Sequence, residues 1–156
     1  MKQALVTIVL ALMAALALPA VHADGDSSPA PAGVPADVDA EAGKAAIRAQ
    51  NWTGAIDAYG KVAARDPRNA DAQNWLGYAY RKSGNLDQAF KHYDQALKLE
   101  PRHRGAHEYI GEAYLMKGDL AKAKEHLAAL DRLCFFGCAE HTDLKQAVAE
   151  YEKRKK

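Results

Sequence analysis

The chain has 156 residues, with 21 Lys and Arg against 20 Asp and Glu and a formal net charge of +1. So balanced a charge gives no long-range field for nucleic acid or an acidic membrane surface, which argues against both as partners. The length beyond the first segment suits one domain.

The first segment, "MKQALVTIVLALMAALALPAVHADG", carries Lys2, an apolar run from Ala4 to Leu18 broken by Thr7, and then Pro19. Val21 and Ala23 supply the small residues a signal peptidase requires. Residues 1–23 therefore read as a secretory signal peptide cut near Ala23, leaving no membrane span. The expected compartment is periplasmic or extracellular, and it is oxidising, so nearby thiols tend to pair. Residues 24–35, rich in Pro, Ala, Gly and Ser, cannot bury enough apolar surface to fold and read as a flexible linker.

From residue 36 the sequence repeats with a period of 34. Gly77 matches Gly111, Tyr80 matches Tyr114, and Gly84 matches Gly118. Ala55, Ala89 and Ala123 line up, as do Tyr59, Tyr93 and Leu127, and Asn51, Asn85 and Asp119. Pro67 and Pro101 close the first two rows, and Phe135 takes that place in the third. Helices are predicted near 36–49, 52–65, 70–83, 86–99, 104–117 and 120–133. Gly84 and Gly118 suit left-handed helix ends, and Asn85 and Asp119 suit N-caps. Mid-helix Gly77 and Gly111 cost about 1 kcal/mol against alanine, which close approach of the two helices of a pair would offset. A seventh helix is predicted in "HTDLKQAVAEYEKRKK", where Leu144, Ala147, Val148 and Tyr151 form one apolar stripe and Thr142 can cap it. The terminal "EKRKK" reads as a solvated helix end.

This pattern resembles the tetratricopeptide repeat. The resemblance implies an all-α superhelix of three helix-turn-helix repeats, 36–69, 70–103 and 104–137, with a capping helix in 138–156. The first row departs most: Ala42-Gly43 replaces the family's Leu-Gly, and Ala46 its tyrosine. The family's tryptophan position holds Gln73 and His107 here.

The resemblance further implies a non-enzymatic scaffold that binds a partner protein or peptide in a concave groove lined by the first helix of each pair. Carried onto this chain, the groove residues are Lys44 and Arg48, then Asn74, Tyr78, Arg81 and Lys82, then Glu108, Glu112 and Leu115. Asn74 would pair with a peptide backbone, and Arg81 would clamp a carboxylate. Members that hold chaperone tails use a Lys and an Asn four apart on the first helix. Ala40 and Lys44 stand there, so that clamp is absent and recognition of such tails is not expected. An uncovered helical edge would also allow self-association.

The only cysteines, Cys134 and Cys138, enclose Phe135, Phe136 and Gly137. Four residues of helix rise about 6 Å, within the range for a disulfide if Gly137 lets the backbone leave helical geometry. A bridge would fix the docking angle of the last helix, with Phe135 and Phe136 packed under the joint. An alternative is a thiol- or metal-handling protein for copper or zinc, with Cys134, Cys138 and His141 as ligands and His126 nearby. His103 and His107 form a further two-point candidate. A redox role would favour C-x-x-C at a helix amino terminus, whereas Cys134 falls at a helix end where the dipole opposes a thiolate. No phosphate-binding glycine loop, G-x-S-x-G or H-E-x-x-H occurs, so neither a cofactor nor catalysis is expected.

Overall fold

Side-chain caps, most of them Asn or Asp, set where the helices begin. The computed structural model describes residues 37–155. The expected signal peptide and linker of residues 1–35 lie outside the described residues. Within them the chain forms seven α-helices: α1 (Val38–Arg48), α2 (Trp52–Arg65), α3 (Ala70–Lys82), α4 (Leu86–Leu99), α5 (Arg104–Lys117), α6 (Leu120–Leu133) and α7 (Ala139–Arg154). Asn51, Asn85 and Asp119 cap α2, α4 and α6. Their side-chain oxygens accept the amides of Gly54, Gln88 and Lys122 at 3.0, 3.2 and 3.0 Å, satisfying donors that have no partner inside the helix. At the far ends of α3 and α5, Gly84 and Gly118 adopt φ of +88° and +86°. The equivalent turn after α1 holds Gln50 at φ +54°.

The pairs α1–α2, α3–α4 and α5–α6 are antiparallel hairpins stacked side by side into an all-α superhelix. The core is accordingly a chain of clusters, two bridging adjacent hairpins and a third joining the last hairpin to α7. Tyr59, Val62, Ala72 and Leu76 form the first; Ala89, Tyr93, Ile110 and Ala113 form the second. Leu115, Ala123, Leu130, Leu144 and Val148 form the third. Tyr93 lies against Gly77, where an added Cβ would stand 2.5 Å from its ring. The glycine thus lets α4 approach α3.

Gly111 differs from the period-based expectation. The side chain over it is Leu144 of α7, not Leu127 of α6. The reason lies in where α7 packs: it rests chiefly on α5 rather than on α6, as the first helix of a further hairpin would. Leu144 stands one repeat after Leu76 and Ile110, and all three are buried.

The start of α7 is also corrected. Thr142 is not its cap. Cys138 is, extended at φ −158° and ψ 159°, with its Sγ accepting the His141 amide at 3.4 Å. The helix thus opens four residues earlier than a Thr142 cap would place it, and the Thr142 hydroxyl donates to the Cys138 carbonyl at 3.1 Å. Cys134 is the C-cap of α6, and the two cysteines are joined as a disulfide with Cα atoms 5.5 Å apart. Phe135 and Phe136 do not pack under the joint: they are 86% and 97% exposed. Cys134 itself packs against the Leu130–Leu144 cluster. It takes the inward position, so the turn carries both rings outward.

No helix among the described residues is long and apolar enough to cross a membrane.

Candidate partner groove

One helical face of α3 presents Tyr78, Arg81 and Lys82, spaced to share a side. The matching face of α5 presents Glu108, Tyr109, Glu112, Leu115 and Met116. The face of α7 that continues this wall adds Ala147, Glu150, Tyr151 and Arg154, with the C-cap residue Lys155. Together they line a cavity of about 600 Å³. Six of the nine groove residues expected from sequence therefore meet: Tyr78, Arg81, Lys82, Glu108, Glu112 and Leu115.

The other three lie apart. Lys44 pairs with Glu41 at 2.8 Å and borders a separate hollow of about 310 Å³ with Tyr59, Asp71 and Trp75. Arg48 lines neither space. Asn74 is only 3% exposed and packs under the first turn of α5, where a Cβ on Gly105 would be 3.2 Å from its amide nitrogen. Its Oδ1 has no hydrogen-bond partner among the described residues. Close approach of α5 over α3 thus hides Asn74 from a peptide.

Arg81 is not available as a clamp for an incoming carboxylate either. It is 8% exposed, and its Nη2 lies 2.6 Å from Oε2 of Glu112. Its Nε donates to the Tyr93 hydroxyl at 3.3 Å. The guanidinium sits 5.3 Å and 5.6 Å from the ring centres of Tyr78 and Tyr109, an arrangement that favours a cation over aromatic faces. Burial opposes its charge, but Tyr93 and Glu112 outweigh that and its pKa is raised. Burial raises the pKa of Tyr109 as well. Tyr78 and Tyr109 pack with ring centres 4.9 Å apart, and Trp75 touches both.

Glu108 is also 8% exposed. Burial, then the nearby carboxylates of Glu112, Asp143 and Glu140, push it up to about 8, against a smaller opposing pull from Arg81.

Tyr109 and the α7 residues escaped the sequence reading. Tyr109 had a usable signal, because it follows Trp75 by one period. The contribution of α7 had none, since a capping role does not specify which helix it covers.

The cysteine-centred alternative finds little support in the geometry. Neither cysteine is free, and the His141 ring turns to Asp131, with Nε2 2.7 Å from its carboxylate. His126 faces His107 instead, Nδ1 to Nδ1, at 3.0 Å. His103 caps α5 and lies 3.1 Å from Asp71. Among the described residues no three His, Cys, Asp or Glu side chains are grouped to hold a metal ion.

The fold and groove define a helical-hairpin solenoid with a lined inner wall. Family models described as tetratricopeptide repeats match residues 41–94 and 77–118. The chain belongs to the tetratricopeptide repeat family. It is similar in fold to the TPR2B domain of yeast Sti1 in a pHsp70 complex, with a TM-score of 0.68 at 20% identity over 74% of this chain and 94% of that one. It is also similar to the first TPR of Spaghetti (RPAP3) bound to the HSP90 peptide SRMEEVD, at 0.65 and 22% over 74% and 91%. PcrH in complex with the chaperone binding region of PopD gives 0.64 and 19% over 76% and 91%. Among curated proteins none matches the chain in sequence.

Proposed function

We propose that this protein is a non-enzymatic interaction scaffold of the bacterial cell envelope that binds a segment of a partner protein in the groove between α3, α5 and α7. The observation that carries the reading is the cavity of about 600 Å³ whose walls mix aromatic, aliphatic and charged side chains. That is the composition of a surface suited to a peptide, with apolar area for affinity and a few charges for orientation. Structural neighbours seen with peptides or chaperone-binding segments support it. Export is supported by the amino-terminal sequence and by a cysteine pair suited to an oxidising compartment.

Site-specific photo-cross-linking tests the reading in intact cells. A photoreactive residue at Met116, which is exposed and borders the groove, is expected to trap a discrete protein adduct. The same residue at Lys98, on α4 and outside the groove, is expected to trap none. Equal adducts from both positions, or none from Met116, would overturn it. Fractionation of the same cells tests export, with the protein expected in the envelope fraction.

A further inference from the structure

Charge is unevenly matched along the groove. Arg81 is engaged internally by Glu112, Tyr93 and two aromatic rings. One turn before Glu112, Glu108 lines the same cavity and is more than nine-tenths buried. Among the described residues none forms a hydrogen bond or ion pair with its carboxylate. The charged groups acting most on it are Glu112 on its own helix, Glu140 and Asp143 on α7, and Arg81 on α3, while Lys82, Glu150, Arg154 and Lys155 also line the cavity. Of these, Arg81 is committed to Glu112, and Glu140 lies 3.6 Å from Arg104. A mostly buried carboxylate that opens only onto the cavity is costly to ionise. A cation arriving from outside would remove that cost, and the faces of Tyr78 and Tyr109 beside the cavity favour one.

We propose that Glu108 receives a lysine or arginine side chain of the bound segment, making the groove selective for a basic residue inserted among aromatic rings. The inference rests on the reading of the groove as the partner site. Its polarity is opposite to that of acidic-ended segments such as the HSP90 peptide SRMEEVD on a structural neighbour. Since Glu108 is pushed up to about 8 by burial and the surrounding carboxylates, it holds a proton near neutral pH in the free protein. Pairing with the cation releases that proton, so affinity rises with pH until Glu108 is ionised in the free protein as well.

Selection from a displayed random-peptide library on the purified protein, followed by calorimetry on the winning peptides, tests the proposal. The winners are expected to share a Lys or Arg. Changing it to Gln, or making Glu108→Gln in the protein, is expected to weaken binding about tenfold or more, the scale of a charge-assisted hydrogen bond. Combining the two changes is expected to add little further loss. Wild-type affinity is expected to rise from pH 6 to pH 8, and the Glu108→Gln affinity to stay flat. Glu108→Asp, which keeps the charge, is expected to bind more tightly than Glu108→Gln. Peptides that lose affinity with Tyr78→Ala yet lack a shared basic residue, or that bind Glu108→Gln unchanged, would overturn the inference while sparing the groove reading. Finding no peptide sensitive to Tyr78→Ala would overturn both.

Discussion

Leu144 stands over Gly111: a Cβ added to that glycine would lie 2.6 Å from Leu144 Cδ2 and 2.8 Å from Cδ1. The contact joins the last helix to the groove-forming helix α5, and it explains why α7 forms part of the groove wall. Gly111→Ala is therefore expected to destabilise the protein by about 1–2 kcal/mol, overpacking outweighing the gain in helix propensity. Gly77→Ala is expected to cost more, because Tyr93 is a rigid buried ring held between hairpins whereas Leu144 belongs to a terminal helix. Urea melts check both. Leu144→Ala is expected to relieve part of the Gly111→Ala penalty, and Leu127→Ala to relieve none.

The same contact shows where a 34-residue period stops being informative. Glycines, caps and helix ends were legible because each is a local backbone requirement repeated in register. Gly84, Gly118, Asn85 and Asp119 fall as expected for that reason. Gln50 takes a positive φ without the glycine that marked the later turns, so composition gave no signal there. Tertiary choices were less legible. Nothing local says that α7 will lean on α5, that α5 will cover Asn74, or that Arg81 will be taken by Glu112 one hairpin away. The loop between the cysteines was misread because apolar residues were expected to be inside, a rule that fails where a short turn gives its inward position to another side chain.

The outward placement of Phe135 and Phe136 has a direct test. Phe135 and Phe136 contact each other, with ring centres 5.0 Å apart, but both lie almost entirely in solvent. The double change Phe135→Ser and Phe136→Ser is expected to move the unfolding free energy by no more than about 0.5 kcal/mol, as for surface positions generally. Had the rings packed under the joint, truncating two of them would cost several kcal/mol. Denaturant titration separates the outcomes.

The Cys134–Cys138 bridge ties the end of α6 to the cap of α7. The closed ring is short, so chain entropy assigns it only about 2 kcal/mol. Replacing both cysteines by serine is expected to lower stability by about that amount. The effect should be local. Hydrogen exchange is expected to accelerate in α7 and in the last turn of α6 while α1 to α4 keep their protection, because each hairpin contacts only its neighbours. Uniform acceleration across all seven helices would show that the bridge holds the whole fold.

Histidines 107 and 126 give the protein an acid limit. His107 lies with Nε2 3.1 Å from the Pro101 carbonyl, so Nε2 carries hydrogen and Nδ1 accepts from Nδ1 of His126 when both rings are neutral. Burial, then His107 and Lys122, lower His126 from 6.5 to about 4. Burial also lowers His107. Between pH 6.5 and 4 the unfolded chain binds the proton that folded His126 refuses, so this contribution to stability is intact above 6.5 and lost as pH falls towards 4. His126→Gln is expected to flatten that part of the curve of melting temperature against pH.

Glu108 acts in the opposite direction. Its ordinary value is 4.5 and its folded value about 8, burial being the first cause and the carboxylates of Glu112, Asp143 and Glu140 following. Between these limits the folded protein binds a proton that the unfolded chain has lost. The contribution of Glu108 is therefore fully present below pH 4.5 and disappears as pH rises through 8. Glu108→Gln, neutral at every pH, is expected to match the wild type near pH 4.5 and to become the more stable protein as pH rises. The gain is about 1–2 kcal/mol near pH 8 once screening at the cavity mouth is allowed for. A series of urea melts from pH 4.5 to 8.5 checks this without any ligand. If the variant instead weakens at high pH, the Glu108 carboxylate has a stabilising partner in the free protein and is not held in reserve for a cation from outside.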